Sequence, residues 1–254
     1  MKLLYIPAPQ LVGGLEMTFD ESANFPVSNP TDIAGWNAFF DTINNGTAFT
    51  RIQIAGSTVK LYGGSGIMVK PYLFNDSPSN IHLISVNDKA GCLIALGDCA
   101  FWGCSILNTF IAHYATSIGQ NAFGANPIAT NYELPLMQSA GIMAFTNNFL
   151  VTDFHFESLQ TVSQSMFQDC HAAEIFYFPN ARDIGTFAFI RCTSATQFYL
   201  PSLQRIIGNY VWYGITGRSI LLTVPHAMMV INGGYPHSEI QSLMSQNTVT
   251  VVQV

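Results

Sequence analysis

The stretch Ile184-Gly185-Thr186-Phe187-Ala188-Phe189-Ile190-Arg191-Cys192 decides the fold, because variants of it recur along the chain at one spacing. Phe189 is the last of five phenylalanines, after Phe101, Phe123, Phe145 and Phe167, that follow one another every 22 residues. The neighbours keep the register. Ahead of each Phe stands Ala100, Ala122, Ala144, Met166 or Ala188, and four residues ahead stands Gly97, Gly119, Gly141, Ser163 or Gly185. Leu96, Ile118, Ala140, Val162 and Ile184 come just before those glycine positions. A fixed period of this size means that each copy is one structural unit, unable to bury its apolar face alone and therefore stacked on its neighbours.

The second half of each copy is strand-like. Nine residues after each Phe lies an aromatic, Phe110, Tyr132, Phe154, Phe176 or Phe198, and two further on come Ala112, Leu134, Phe156, Phe178 and Leu200. Proline often follows, at Pro135, Pro179 and Pro201. Apolar residues at every second position mark a strand with one face in a core. Three residues after each Phe stands Cys104, Asn126, Asn148, Cys170 or Cys192. That alternation is expected where one side chain per coil satisfies buried backbone groups in a turn.

The composite pattern, Ile-Gly-x-x-Ala-Phe-x-x-Cys followed by Phe-x-Leu-Pro-x-Leu, resembles the BspA-like bacterial leucine-rich repeat, over about 150 residues from Leu73 to Val224. The resemblance implies a right-handed leucine-rich-repeat solenoid with a parallel β-sheet and 22-residue repeats. It also implies a mostly adhesive, recognition-type family without shared catalytic residues. Two departures stand out. Phe74 precedes Phe101 by 27 residues, which predicts a five-residue insertion around Asn75 to Asn80, and the last coil has Val211 for Phe and Ile207 for Gly. Terminal coils of solenoids are usually atypical because they present a finished face.

Outside the repeat the pattern predicts two caps. Residues 1–70 form an N-terminal arm and α/β capping region, 71–225 the solenoid, and 226–254 a C-terminal cap. Thr31 reads as an N-cap for a helix over about 32–43, with Ile33, Trp36, Phe39, Phe40 and Ile43 at helical spacing. Strand-like runs follow at Arg51 to Ile54 and Thr58 to Tyr62, ending at Gly63-Gly64. Ser238 to Ser245 reads as a short helix and Thr248 to Val252 as a final strand. Met1 to Asn29, with three prolines and little periodicity, is either a surface-hugging segment or an assembly arm.

Composition narrows the function classes. Charged residues make up 9 % of the chain, far below the usual quarter, so Asn, Gln, Ser, Thr and Tyr must wet the surface. Nine Lys and Arg against a formal charge of −6 leave no basic stripe for a phosphate backbone, and nucleic acid is not expected as a partner. Pro7 and Pro9 interrupt the apolar start before a secretory signal core forms, and no apolar run is long enough to span a bilayer, so membrane insertion is not expected. The odd number of cysteines, five, fits a packing ladder with buried thiols better than a disulfide framework. Cys99 with Cys104, and Cys170 with Cys192, raise a metal site, but no Cys-x-x-Cys or paired-His spacing accompanies them. Neither metal nor cofactor is expected.

Candidate site residues come from the strand geometry. Between the inward residues of each coil stands one that faces outward: Ile111, Glu133, His155, Tyr177 and Tyr199. The outward row before it is Thr109, Asn131, Asp153, Ile175 and Gln197. Asn131, Glu133, Asp153, His155, Tyr177, Gln197 and Tyr199 are therefore the expected ligand-binding face, an aromatic and amide-rich strip suited to a sugar or a protein loop. Asp153 or Glu157 with His155 makes an acid/base pair on paper, yet a flat face without a cleft argues against catalysis. The expected function is a non-catalytic adhesion protein, foremost a phage virion component, attached to tail or capsid, that binds a host-surface glycan or protein. A bacterial surface adhesin is the alternative, followed by a structural virion protein that assembles with other virion proteins or as a homo-oligomer. The expected location is a virion or the cell exterior.

Overall fold

The computed structural model describes residues 14–20, 25–27, 29–42, 45–75, 83–229 and 237–254. Its N-terminal part holds β1 (Gly14–Phe19), α1 (Ile33–Phe40), β2 (Arg51–Ala55), β3 (Thr58–Tyr62), β4 (Ile67–Val69), β5 (Leu83–Asp88) and β6 (Leu93–Leu96). Each later coil then contributes a longer and a two-residue strand. The longer ones are β7 (Thr109–Ala112), β9 (Asn131–Glu133), β11 (Asp153–His155), β13 (Ile175–Tyr177) and β15 (Gln197–Tyr199). The short ones are β8 (Ser117–Ile118), β10 (Ser139–Ala140), β12 (Thr161–Val162), β14 (Asp183–Ile184) and β16 (Arg205–Ile206). The chain closes with β17 (Ser219–Val224), α2 (His226–Met229), α3 (Ser238–Gln246) and β18 (Thr248–Gln253).

The coils stack in parallel and in register, with Phe154 opposite Phe176 and Phe176 opposite Phe198. The long strands form one wall of the solenoid and the short strands a second, and both walls break at the same level, between β9 and β11 and between β10 and β12. The N-terminal strands extend the first wall in the order β2-β3-β1-β5-β7-β9, and β17 and β18 extend its other end. This is a leucine-rich-repeat solenoid.

Three features hold one coil to the next. Six phenylalanines and one tryptophan stack in a column from Phe74 through Phe101, Phe123, Phe145, Phe167 and Phe189 to Trp212, with neighbouring centroids 4.9 to 6.2 Å apart. The rings are nearly parallel, and each such contact stabilises by about 0.5–1.5 kcal/mol beyond area burial. Beside the column the turn of each coil passes through the left-handed region at Cys99, Asn121, Met143, Ser165 and Phe187, with φ between 52 and 59°. Backbone bonds to the next coil offset that cost, Asn121 N–H to the Ile142 carbonyl at 2.9 Å and Met143 N–H to that of Gln164 at 3.0 Å. Finally, the repeat glycine stands where coils nearly touch: a Cβ on Gly119 would lie 2.4 Å from Asp98 N, and one on Gly141 2.5 Å from Gln120 N.

The Cys/Asn position is a donor ladder. The thiols of Cys104, Cys170 and Cys192 donate to the carbonyls of Phe74, Phe145 and Phe167 in the preceding coil at 3.0, 3.1 and 3.0 Å. Burial pushes the Cys170 thiol up to about 12, so it keeps the proton it donates. Asn148 Nδ2 does the same work on Phe123 O at 2.9 Å and Phe145 O at 2.8 Å. Asparagine replaces cysteine in the two coils that flank the buried Tyr132. The Tyr132 hydroxyl donates to Asn148 Oδ1 at 2.5 Å and accepts from Asn126 Nδ2 at 3.3 Å. A phenol in the core requires polar partners, and the ladder position provides them.

Gly14 to Phe19 is β1, paired antiparallel with both β3 and β5, so this part of the N-terminal segment is a wall strand rather than an arm. Alternation of Leu15, Met17 and Phe19 into the core explains it. The rest of Met1 to Asn29, apart from Asp20, Phe25, Pro26, Val27 and Asn29, and most of the expected insertion at 75–80 lie outside the described residues. The N-cap of α1 is Asp32, not Thr31: Asp32 is extended and its carboxylate accepts from Ala34 N–H at 3.0 Å, while Thr31 bonds Asn29. In the last coil neither Val211 nor Ile207 stands at the repeat's Phe or Gly position, because one extra residue shifts the register. Trp212 stacks on Phe189, and a Cβ on Gly208 would lie 2.1 Å from Thr186 N.

Both ends of the ring column are covered. Phe39 and Phe40 of α1 pack on Phe74 at 5.2 and 6.0 Å, and Ile240 and Leu243 of α3 are buried at the far end. Asp88 at the end of β5 is a buried carboxylate that accepts the N–H groups of Cys92 at 2.9 Å and Leu93 at 2.7 Å. Burial raises its pKa against the pull of these donors.

Gly141→Ala forces backbone against backbone and should cost roughly 1–3 kcal/mol in urea unfolding. Gly35→Ala in α1, where the nearest atom lies 3.7 Å from the new Cβ, should instead stabilise by about 0.5–1 kcal/mol. Tyr132→Phe should cost about 1–3 kcal/mol by orphaning the amides of Asn126 and Asn148. Adding Asn126→Cys and Asn148→Cys should recover much of that loss, and a purely additive cycle would contradict the coupling.

Candidate binding face

The outer face of the long-strand wall carries all seven expected residues. Asp153, His155 and Asn131 are exposed, and Glu133, Tyr177, Gln197 and Tyr199 are half-buried. Register sets who meets whom: His155 opposite Tyr177 and Tyr177 opposite Tyr199, with Ile175 opposite Gln197 in the adjoining row.

The rings of His155, Tyr177 and Tyr199 form an external stack, with centroids 5.1 and 4.6 Å apart and planes within 16 and 5° of parallel. Stacking covers most ring faces and turns edges and hydroxyls outward. Below Tyr199 the row continues to Thr223, which is 6 % exposed although it points away from the core. At one pair of coils the ring spacing is shortest on the outer face: Tyr177 and Tyr199 lie 4.6 Å apart outside the wall, Phe176 and Phe198 5.2 Å apart just inside it, and Phe167 and Phe189 5.8 Å apart in the central column.

The expected site is not uniform. Asn131 and Glu133 belong to β9, on the other side of the wall's break from Asp153, His155, Tyr177, Gln197 and Tyr199. Glu133 is engaged by His113 of the preceding coil, Nε2 to Oε1 at 2.5 Å. His113 is absent from the two outward rows because it follows the inward Ala112. Its 20-residue separation from Glu133, two residues short of the repeat, is the signal for a diagonal pair.

Two Arg–Asp pairs lie off this face. Arg191 forks onto Asp169 through Nε and Nη2, and Arg205 onto Asp183 at 2.7 and 2.8 Å. Hydrogen bonding from each guanidinium holds the Asp169 and Asp183 carboxyls below their usual range. Among the described residues no three His, Cys, Asp or Glu side chains gather as a metal-binding group, and no helix is long and apolar enough to cross a membrane.

With period, ladder and face in place, comparison with known families is decisive for the fold. The BspA type leucine rich repeat region matches residues 94–217 in six copies. This stretch belongs to the BspA-type leucine-rich repeats. A leucine-rich cell surface protein of Faecalibacterium prausnitzii A2-165 shares the fold, with a TM-score of 0.51 and 18 % identity over 66 % of this chain. The chain spans 45 % of that protein's length. A T. pallidum leucine-rich-repeat protein matches at a TM-score of 0.39 and 16 % identity, covering 78 % of this chain and 92 % of its own. No curated protein matches the sequence.

Asp169 has a pH signature of defined sign. A carboxyl whose folded pKa is depressed contributes stability that is present above its ordinary value of 3.8 and is lost as pH falls through the lower folded value. The melting-temperature gap between wild type and Asp169→Asn should therefore be full at neutral pH and close in strong acid. A gap independent of pH would show that the Arg191 pair carries none of it.

Proposed function

We propose that this chain is a non-catalytic binding protein whose outer long-strand wall face holds a protein partner at a cell or particle surface. The His155, Tyr177 and Tyr199 stack carries this reading. Pyranose binding uses a free ring face, whereas these rings present edges and hydroxyls. Such groups suit the carbonyls and amides of a polypeptide. Asp153 and Gln197 supply polar groups in the adjoining row, and Asn131 and Glu133 continue it across the break.

In its finer form the proposal assigns the chain to a phage virion, attached to tail or capsid, as a host-attachment component. Support comes from a surface wetted by amides, hydroxyls and tyrosines with few charges. A bacterial surface adhesin is the second reading, favoured by the shared fold with the Faecalibacterium prausnitzii cell surface protein.

Tyr177→Ala with Tyr199→Ala tests the face. The variant should keep its circular dichroism and lose at least about tenfold in affinity for target cells. Protease treatment of the cells should abolish wild-type binding and glycan oxidation should not. A folded double variant that binds as wild type would refute the face. Mass spectrometry of purified particles separates virion from cellular display.

A further inference from the structure

The long-strand wall ends at β18, the last strand in the order β11-β13-β15-β17-β18, and no described strand pairs with its far side. Register settles which backbone groups face that side. β18 runs parallel to β17, from Ser219 opposite Thr248 to Val224 opposite Gln253. The N–H groups of Thr248 and Val254 donate to the Arg218 and Val224 carbonyls at 2.9 and 3.3 Å. Successive residues of a strand turn their N–H and C=O to opposite sides, so Thr248, Thr250, Val252 and Val254 bond β17. Val249, Val251 and Gln253 turn theirs outward along the open edge.

An open edge invites a further strand, and proteins usually blunt it with a charge, a proline or a bulge. The opposite end of the wall follows that practice, because edge strand β2 carries Arg51, whose guanidinium lies 4.0 Å from the centre of the Tyr62 ring. β18, Thr-Val-Thr-Val-Val-Gln, has no such device: it is uncharged, β-branched at every position before Gln253, and pairs with β17 without a register shift. From Ser238 to Val254 the single charged side chain is Glu239, whose carboxylate accepts the Val211 N–H at 2.9 Å. Met244, Val252 and Val254 are exposed on the same C-terminal elements.

The edge is also complementary to itself. When Val251 stands opposite Val251 of a second, antiparallel copy, Val249 falls opposite Gln253. All three turn their N–H and C=O outward, so each facing pair exchanges both bonds. Thr250 then falls opposite Val252, and no like charges meet.

We propose that the β18 edge joins two copies of this chain, strand to strand, about a two-fold axis through Val251. Facing residues of an antiparallel pair put their side chains on one side of the sheet, so the axis stands normal to the wall. Both copies therefore turn the row that runs from His155 through Tyr177, Tyr199 and Thr223 to Val252 to the same side. Two outward faces on one continuous sheet suit attachment to a surface that displays many copies of its target.

Sedimentation equilibrium on the intact chain tests the proposal. Wild type should pass from monomer to dimer over roughly the micromolar range and associate no further. Val251→Pro removes an outward N–H and spares the bonds to β17, so it should keep its circular dichroism and weaken dimerisation at least about tenfold. Thr250→Lys with Val252→Lys sets like charges across the axis and should give a monomer, whereas Thr250→Lys with Val252→Glu sets opposite charges there and should restore the dimer. A wild type that stays monomeric, or an open-ended series of larger species such as β18 joined to β2 of the next copy would produce, would overturn the two-fold edge. Equal association of the two Thr250 variants, or a folded Val251→Pro that dimerises as wild type, would do the same. Tyr177→Ala with Tyr199→Ala should leave the dimer intact, which separates failure of this edge from failure of the binding face.

Discussion

The column of rings from Phe74 to Trp212 is the contact on which the rest of the molecule depends. Strands in a sheet sit about 4.8 Å apart, and rings stack comfortably at slightly more than that. One ring per coil therefore continues a single column through the core. The same register sets the outward rings of His155, Tyr177 and Tyr199 one above another, so fold and candidate surface share one cause.

Polar groups enter this core only under strict accounting. The turn beside the column leaves a carbonyl in each preceding coil, and a thiol or an amide closes it. Where the second aromatic is Tyr132 rather than phenylalanine, asparagine stands on both sides of it. A core that carries so few charges tolerates Asp88 because backbone donors wrap its carboxylate. Among the described residues two buried atoms of this core fall outside the rule, Asn126 Oδ1 and the indole N–H of Trp212.

The two surface regions differ in how their aromatic rings are used. On the outer face of the long-strand wall, repetition places like above like, so the rings of Tyr177 and Tyr199 stack on each other. At the C-terminal end the repeat stops, and Tyr210 and Tyr213 are left edge to face beside α3. Parallel stacking produces a strip of edges and hydroxyls, while interruption of the repeat leaves ring surface.

Sequence by itself determined the period, the inward and outward rows, the Cys/Asn ladder and the helix and strand near each end, because these depend on residue type at fixed spacing. The tertiary structure alone decided the rest. β1 is a wall strand because β3 and β5, distant in sequence, offer their edges to it. Trp212 takes the Phe position because one inserted residue shifts the last coil, which a strict count of 22 cannot reveal. The tyrosine faces are covered because coil spacing, a property of the packed column, sets the distance between neighbouring rings. Residue pattern fixes which side chains share a row, and only packing fixes how far apart they stand and which of their surfaces stays open.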